Sequence, residues 1–308
     1  MGRVIRGLAG DGAFRVIAAE TTDVVEEARR RHGLSPTATA ALGRALTGAT
    51  LLAYLLSKTP RERVTLKVEG DGPLGHLVAE AGVDGKVRGY VGTPEADLPP
   101  TEAGKLDVGG LIGKGELRVM RSLPSGEIYD SSVPLVSGEI AEDLAHYLYK
   151  SEQIPSAVLL GVRVSPEGEV ESAGGMVIQV LPGASEEAIA KLEENLKGLP
   201  GFSQLLKEKG LEGAVEEVLK GLGFELVTLK DVGLDEGIPV RFACRCDREK
   251  ARDSLKFFSP EELEQMAQEG GAEVVCRWCG EVYRFSPEEV LELKDAVARE
   301  APKDSPPQ

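Results

Sequence analysis

The chain has 308 residues, enough for one large core or for two domains. Its 36 basic and 51 acidic residues give a net charge of −15. Binders of nucleic acid or of anionic membranes need basic surface, so this balance argues against both classes of partner. The N-terminal residues show no apolar signal-peptide region, and the most apolar window, residues 45–56, is too short to span a bilayer. We therefore expect a cytoplasmic protein in which that window is a buried helix.

The first 180 residues alternate between strand-like and helical patterns. Gly10-Asp11-Gly12 predicts a hairpin between two strands, and Asp23-x-x-Glu26 predicts a capping box at the start of a short helix. Ser35-Pro36 predicts the start of a long helix that ends near Ser57 and buries many small residues. Further strands are predicted over 63–69, 74–81, 86–91, 116–122, 127–130, 157–164 and 168–180, with a helix over 140–150. This order of hairpins predicts an antiparallel α+β core domain, residues 1–183, around the long central helix.

A change in composition follows Leu181-Pro182-Gly183. Amphipathic helices are predicted over 185–197 and 211–222, with breaks at glycines such as Gly210. Residues 184–233 hold 6 basic and 10 acidic residues, so the apolar stripes lie on an acidic background. We interpret residues 184–236 as a helical linker that packs conditionally.

All four cysteines lie near the C-terminus, in the pairs Cys244-x-Cys246 and Cys276-x-x-Cys279, with 29 residues between the pairs. Two tight thiol pairs in a chain with only three scattered histidines predict the ligands of one metal ion, and tetrahedral thiolate sets suit Zn²⁺. Residues 237–300 are therefore predicted to be a small zinc-binding module, in which Gly280 has a positive φ. The tail 301–308 is polar and rich in proline, and we expect it to be disordered.

Three functions compete for this site. A nucleic-acid-binding ribbon is favoured by a local basic cluster but opposed by the balance of 8 basic and 9 acidic residues over 240–285. The basic cluster is Arg241, Arg245, Arg248, Lys250, Arg252 and Lys256. A thiol oxidoreductase normally uses one C-x-x-C at a helix start, whereas Cys276 follows a strand-like segment. In a redox switch, each pair closes a disulfide, the metal loses its ligands and the module unfolds. Residue chemistry alone does not choose between the switch and a ribbon that only holds a small domain together.

Other polar candidates favour structural roles. Ser151-Glu152-Gln153 shows no nucleophile, base and orienting group together and is interpreted as a helix end. His32, His76 and His146 are far apart in sequence, and Gly174-Gly175 predicts a strand bulge or close packing rather than a phosphate-binding loop. We expect no catalytic or cofactor-binding residues and no enzyme activity.

The cysteine pattern, at the end of an acidic two-part chain, closely resembles the family of redox-regulated heat-shock holdases called 33 kDa chaperonins. Four upstream segments are similar to core motifs of the same family: GDGPLG (70–75), VRGYV (87–91), YKSEQIPS (149–156) and GGMVIQVLP (174–182). The resemblance covers nearly the whole chain except the tail after about residue 300.

The resemblance implies an ATP-independent chaperone that is inactive while one zinc ion is bound by Cys244, Cys246, Cys276 and Cys279. Oxidation is then expected to form the Cys244–Cys246 and Cys276–Cys279 disulfides and release zinc. The linker would unfold, and the protein would dimerise and hold unfolding client proteins. The alternative is a constitutive zinc ribbon that binds a protein or nucleic acid in either redox state.

Overall fold

A computed structural model describes residues 2–227 and 239–300 of the chain. Its contacts divide the chain into two compact units, Met1–Ala243 and Cys244–Gln308. The last part of the predicted linker, 228–236, the first two residues of the predicted module and the predicted tail 301–308 lie outside the described residues. The division into core, linker and module stays a prediction.

The first unit consists of eleven described strands and six described helices. The strands are β1 (Arg3–Ala9), β2 (Phe14–Glu20), β3 (Arg63–Gly70), β4 (His76–Ala81), β5 (Lys86–Val91), β6 (Gly115–Ser122), β7 (Ile128–Pro134), β8 (Ser156–Val164), β9 (Val170–Val180), β10 (Phe224–Leu226) and β11 (Arg241–Phe242). The helices are α1 (Thr22–His32), α2 (Pro36–Leu56), α3 (Val108–Ile112), α4 (Ala141–Lys150), α5 (Glu186–Leu196) and α6 (Phe202–Val218). Mixed helices and antiparallel sheets confirm the predicted α+β class.

Two sheets enclose the central helix α2. One has the order β10-β1-β2-β9-β8 and is antiparallel throughout; the other has the order β11-β5-β4-β3-β6-β7 and is antiparallel except for the β11–β5 pair. The Ser35 hydroxyl accepts a hydrogen bond from Ala38 N–H and caps α2, and Pro36 occupies its first turn, as predicted. The largest apolar cluster surrounds α2 and includes Leu42, Leu46 and Leu66, all fully buried.

Small residues allow close packing around α2, as the sequence predicts. A Cβ at Gly48 would lie 2.5 Å from Leu144 Cδ1, and one at Gly175 would lie 2.6 Å from Leu159 O. Gly175 and its neighbour Gly174 therefore serve close packing, which confirms the structural interpretation of that pair.

The predicted capping box at Asp23 and Glu26 is wrong. Helix α1 begins at Thr22, so Asp23 already lies inside its first turn, and the N-cap Thr21 makes no side-chain cap. The Thr21 hydroxyl instead bonds the Thr47 hydroxyl at 2.7 Å, and the Glu26 carboxylate accepts hydrogen bonds from Arg29 and from Val170 N–H. Tertiary partners therefore replace the local cap.

Helices α5 and α6, which lie in the predicted linker and are named the linker helices below, dock on the face of the five-stranded sheet that points away from α2. Helix α6 begins at Phe202, earlier than predicted, and a non-helical Gly210 breaks it at the predicted glycine. Residues of α5 and α6 form a second apolar cluster with β2 and β9. The strand β10, which the sequence patterns did not predict, then joins the edge of the same sheet by pairing with β1.

The second unit is described from Cys244 to residue 300 and has a small core. Its elements are α7 (Arg248–Leu255), α8 (Pro260–Gln268), β12 (Ala272–Val275), β13 (Val282–Phe285) and α9 (Pro287–Glu300). Its buried apolar residues are Ala251, Leu255, Leu263, Ala267, Phe285, Val290 and Leu293. Helix α8 begins with a capping box formed by Ser259 and Glu262. The sequence patterns did not predict α7 or β13.

Candidate metal centre

The first cysteine pair lies on the short connection between β11 and α7. Asp247, directly after Cys246, caps α7, because its Oδ1 accepts a hydrogen bond from Lys250 N–H at 2.8 Å. The helix start therefore fixes where the chain turns after Cys246.

The second pair lies on a tight knuckle between β12 and β13. Cys276 N–H donates to Glu281 O at 2.8 Å, and Gly280 N–H donates back to Cys276 O at 2.8 Å. Gly280 has a φ of 71°, which confirms the prediction of a positive φ directly after the turn. The knuckle brings Cys276 and Cys279 to the same side of the turn.

The four predicted cysteines meet at one point. Their Sγ atoms all lie within 4.8 Å of one another, and contacts join the two pairs: Cys244 to Cys276 at 3.7 Å and Cys246 to Cys279 at 3.4 Å. The structure describes every cysteine of the chain, and none of them forms a disulfide. Tetrahedral zinc with Zn–S bonds of about 2.3 Å needs sulfur atoms about 3.8 Å apart. The donor set and its spacing therefore fit a metal site of this kind.

Burial opposes charge on this cluster in the absence of a cation. It raises the pKa of the Cys276 thiol and that of the Cys279 thiol, which is only 2% exposed. A coordinating metal ion reverses this balance, because a bound thiol is deprotonated. The site thus favours either neutral thiols or thiolates that share a cation.

Tyr283 is a site residue that the sequence did not reveal. It lies on β13, and its hydroxyl donates a hydrogen bond to Cys246 Sγ at 3.2 Å; this bond raises the pKa of the tyrosine. Ligands of a metal are oriented and tuned by such outer partners. Only the pairing of β12 with β13 places Tyr283 here, so no spacing rule in the sequence could have found it.

Comparison with known proteins agrees with this geometry. The model of the Hsp33 protein family matches residues 2–286. This chain belongs to the Hsp33 family. A 33 kDa chaperonin of Thermus thermophilus is 70% identical over 95% of this chain and 86% of that protein. The 33 kDa chaperonin of Deinococcus radiodurans is 51% identical over 96% of this chain and 99% of that protein. The crystal structure of the 33 kDa chaperonin (heat shock protein 33 homolog) from Thermotoga maritima has a TM-score of 0.86 and 41% identity, and the match covers 96% of this chain and 99% of that one. Membership of this family supports a chaperone function.

In this Hsp33-family chain, α5 and α6 cover an apolar sheet surface, which we name the covered face: Phe14, Val16, Ala18, Met176 and Ile178. Helix α6 places Phe202, Leu206 and Val215 on it, and each is at most 5% exposed. The docking also includes polar contacts, since Ser172 donates to Ser203 O at 2.7 Å and Lys207 pairs with Glu171 at 3.0 Å. Helices α5 and α6, which lie in the predicted linker, thus bury an apolar surface of this sheet.

The remaining sequence candidates have structural partners. The Tyr147 hydroxyl donates to Glu152 at 2.6 Å, and Ser151 caps the end of α4, which confirms the helix-end interpretation. His32 Nε2 lies 2.9 Å from Gly89 O, and the ring of His76 packs edge-on against Tyr90. Neither histidine belongs to the cysteine cluster.

Among the described residues, one helix is long and apolar enough to cross a membrane: α2, Pro36–Leu56. However, 94% of the most apolar 18-residue stretch of this helix is buried in the protein. The prediction of a buried helix is confirmed. The window 45–56 is the second half of this helix, whose start at Ser35-Pro36 the sequence also predicted.

Proposed function

We propose that this protein is a redox-regulated, ATP-independent holdase. In the reduced state Cys244, Cys246, Cys276 and Cys279 hold one zinc ion, and the chaperone is inactive. The observation that carries the proposal is the convergence of four sulfur atoms within 4.8 Å in a unit whose own core is small.

The size of this core argues that the module depends on its metal. Seven buried apolar residues stabilise a described segment of fewer than 60 residues, a size at which metals or disulfides are often needed. Structural zinc contributes about 10–16 kcal/mol to the folding of such modules. Loss of the four thiolates as ligands should therefore unfold the module.

Hydrogen peroxide is an oxidant that would remove these ligands. One thiolate of a pair attacks a peroxide oxygen and the O–O bond breaks. The cysteine becomes a sulfenic acid, and hydroxide is the leaving group. The second thiolate attacks that sulfur, the S–O bond breaks, and a second hydroxide leaves. Two protons convert the hydroxides to water, so each disulfide consumes one peroxide. We propose the pairs Cys244–Cys246 and Cys276–Cys279, because sequence neighbours stay close when the module unfolds.

Release of the linker helices would then activate the chaperone. Undocking of α5 and α6 would expose the covered face to unfolding client proteins, and the same apolar surface would favour a homodimer of oxidised chains. Disulfide formation supplies the driving force, so no nucleotide is required. Thiols that must stay reduced at rest suit the cytoplasm.

A constitutive zinc ribbon is the alternative, and the charges of the second unit oppose its nucleic-acid form. Arg248 pairs with Glu289 at 2.8 Å, Lys250 with Asp247 at 2.7 Å and Lys256 with Asp253 at 2.7 Å. Three of the six residues of the basic cluster are therefore paired with carboxylates, which supports protein clients rather than nucleic acid as partners.

Light scattering from a heat-unfolding client protein tests the proposal. We expect the peroxide-oxidised protein to suppress aggregation and the zinc-bound, reduced protein not to. Equal suppression by both forms would retain a chaperone and remove the switch. No suppression by either form would favour the constitutive ribbon.

A further inference from the structure

The side of β5 opposite β4, which we name the outer edge of β5, carries the carbonyl groups of Val87 and Gly89 and, directly before the strand, that of Gly85. Gly85 O accepts a hydrogen bond from Arg241 N–H at 2.8 Å, and Val87 O accepts one from Ala243 N–H at 2.8 Å. Gly89 O accepts one from His32 Nε2 at 2.9 Å. Two of these three donors belong to the segment 240–243, which contains β11. The edge of β5 is thus able to bind an extended chain, since it already binds one.

Segment 240–243 is held by side chains as well as by its backbone. Val240 is 1% exposed and belongs to the main core cluster. The Phe242 ring lies edge-on to His32, with centroids 6.4 Å apart, and the Arg31 guanidinium lies 5.8 Å from its centroid. The edge therefore offers two alternating contacts to an extended chain: backbone acceptors on β5 and an aromatic position at the end of α1.

This segment lies between the linker and the cysteines in the sequence. Ala243 directly precedes Cys244, and the linker helices end upstream of β10. Unfolding that begins at the cysteines must release segment 240–243 from β5 before it can reach the linker along the chain.

We propose that the outer edge of β5 is a client-binding edge and that segment 240–243 is its intramolecular inhibitor. Once oxidation unfolds the metal module, the segment leaves and an extended stretch of client pairs with β5 by strand addition. The client supplies backbone N–H groups to Gly85 O and Val87 O and a large apolar side chain to the position of Phe242. The ligand is an extended, apolar-rich peptide, because main-chain pairing supplies affinity without requiring one sequence. This inference rests on the proposed holdase function and deepens it.

Site-specific photo-cross-linking tests the edge directly. Benzoylphenylalanine replaces Lys86, whose side chain is 43% exposed on β5, and urea-unfolded malate dehydrogenase is the client probe. The matched control places the same group at Tyr129, which is 54% exposed on β7, the opposite edge of the same sheet. We expect client cross-links from position 86 only after peroxide treatment, and fewer from position 129. Equal yields at the two positions, or none at position 86, would overturn the proposal.

Amide hydrogen exchange tests the release of the segment. We expect peroxide to remove protection from residues 240–243 while β3 and β4 remain protected. In Phe242→Ala, which loses the contacts to Arg31 and His32, the same amides should exchange about tenfold faster in the reduced protein, and cross-linking from position 86 should begin without peroxide. Phe257→Ala is the control, because Phe257 is 93% exposed, and it should change neither result.

The two proposals fail in different ways. If the oxidised protein suppresses aggregation while residues 240–243 stay protected and position 86 forms no cross-links, the strand-addition edge is wrong and the holdase remains. If oxidation does not create suppression, the switch is wrong, and the cross-links from position 86 in the two redox states then decide whether β5 binds extended chains at all.

Discussion

The hydroxyl of Tyr283 donates a hydrogen bond to Sγ of Cys246 at 3.2 Å. This contact ties the C-x-C pair to β13, the strand that follows the C-x-x-C knuckle, so a direct hydrogen bond joins the two halves of the centre. The bond also raises the pKa of Tyr283, which keeps the phenol protonated and available as a donor.

Tyr283→Phe should weaken zinc binding, because it removes one donor to a ligand sulfur while retaining the ring. Outer-shell changes of this kind typically lower metal affinity by about 10–100-fold. Competition with a chromophoric chelator measures the change, and Tyr129→Phe, on exposed β7, is the control. An affinity equal to that of the unmodified protein would show that the Tyr283 contact does not tune the centre.

Removal of zinc under reducing conditions should unfold the second unit and leave the core domain folded. The core around α2 includes many fully buried residues, whereas the second unit has seven buried apolar residues. Amide exchange with a strong chelator and a thiol reductant measures both regions at once. We expect rapid exchange in α8 and β12 and continued protection in β3 and β4; a second unit that stays protected would contradict its dependence on the metal.

The sequence predicted the parts of the fold that local patterns encode. The Ser35-Pro36 signal identified the start of α2, Gly210 identified a break in the linker, and the cysteine spacing identified all four clustered thiols. Each of these depends on residues close together in the chain, or on a residue type used nowhere else in it.

Several of the errors concern long-range pairing. Strands β10 and β11 are three and two residues long, too short for a period to be visible, and they form only because β1 and β5 offer free edges. Likewise, Glu26 bonds Val170 N–H, a partner 144 positions away, rather than a local cap. Tertiary contacts of this kind are not encoded in any local window of the sequence.

Peroxide should produce the disulfides Cys244–Cys246 and Cys276–Cys279. The structure makes this a sharp test, because sulfur contacts also join one pair to the other, Cys244 to Cys276 at 3.7 Å and Cys246 to Cys279 at 3.4 Å. If the first disulfide forms after the module has loosened, it should join cysteines that are neighbours in the sequence. If it forms in the folded cluster, it should instead join one pair to the other, as Cys244–Cys276 or Cys246–Cys279; we call these disulfides cross-pairs. Mass spectrometry of non-reduced peptides distinguishes the two, and a chromogenic zinc indicator should report one ion released per chain. Predominant cross-pairs would contradict the proposed switch chemistry.

Leu206→Ala should loosen the linker and make the reduced protein partly active. Leu206 is 5% exposed in α6 and packs on the covered face close to Gly174. Truncation of a buried leucine costs about 2–5 kcal/mol, which here falls on the docked state of α6. Aggregation assays without oxidant measure the gain, and Leu226→Ala is the control, because Leu226 is 59% exposed on β10. Full inactivity of reduced Leu206→Ala, despite faster exchange in α6, would show that the covered face does not bind clients.

The carboxylate of Glu26 should contribute to the stability of the first unit in a pH-dependent way. Hydrogen bonds from the Arg29 guanidinium lower the pKa of Glu26, with a smaller contribution from Val170 N–H, while partial burial opposes the shift. A carboxyl whose folded pKa lies below its unfolded value of about 4.3 stabilises the fold above that value. Its contribution is lost as the pH falls from the unfolded pKa through the folded pKa, because over that range the unfolded state binds more protons than the folded state.

Glu26→Gln should therefore lower the free energy of unfolding by about 1–2 kcal/mol at pH 7 and by less at pH 3. Urea unfolding of the reduced protein at the two pH values measures the difference, followed through a probe in the first unit. Glu27→Gln is the matched control, since Glu27 lies on the same helix and pairs with Arg31 at 2.7 Å but is not bonded to β9. An exposed pair of that kind contributes at most about 1 kcal/mol. Equal losses in the two variants at pH 7 would show that the bond to Val170, which joins α1 to β9, adds nothing to a simple helix-surface ion pair.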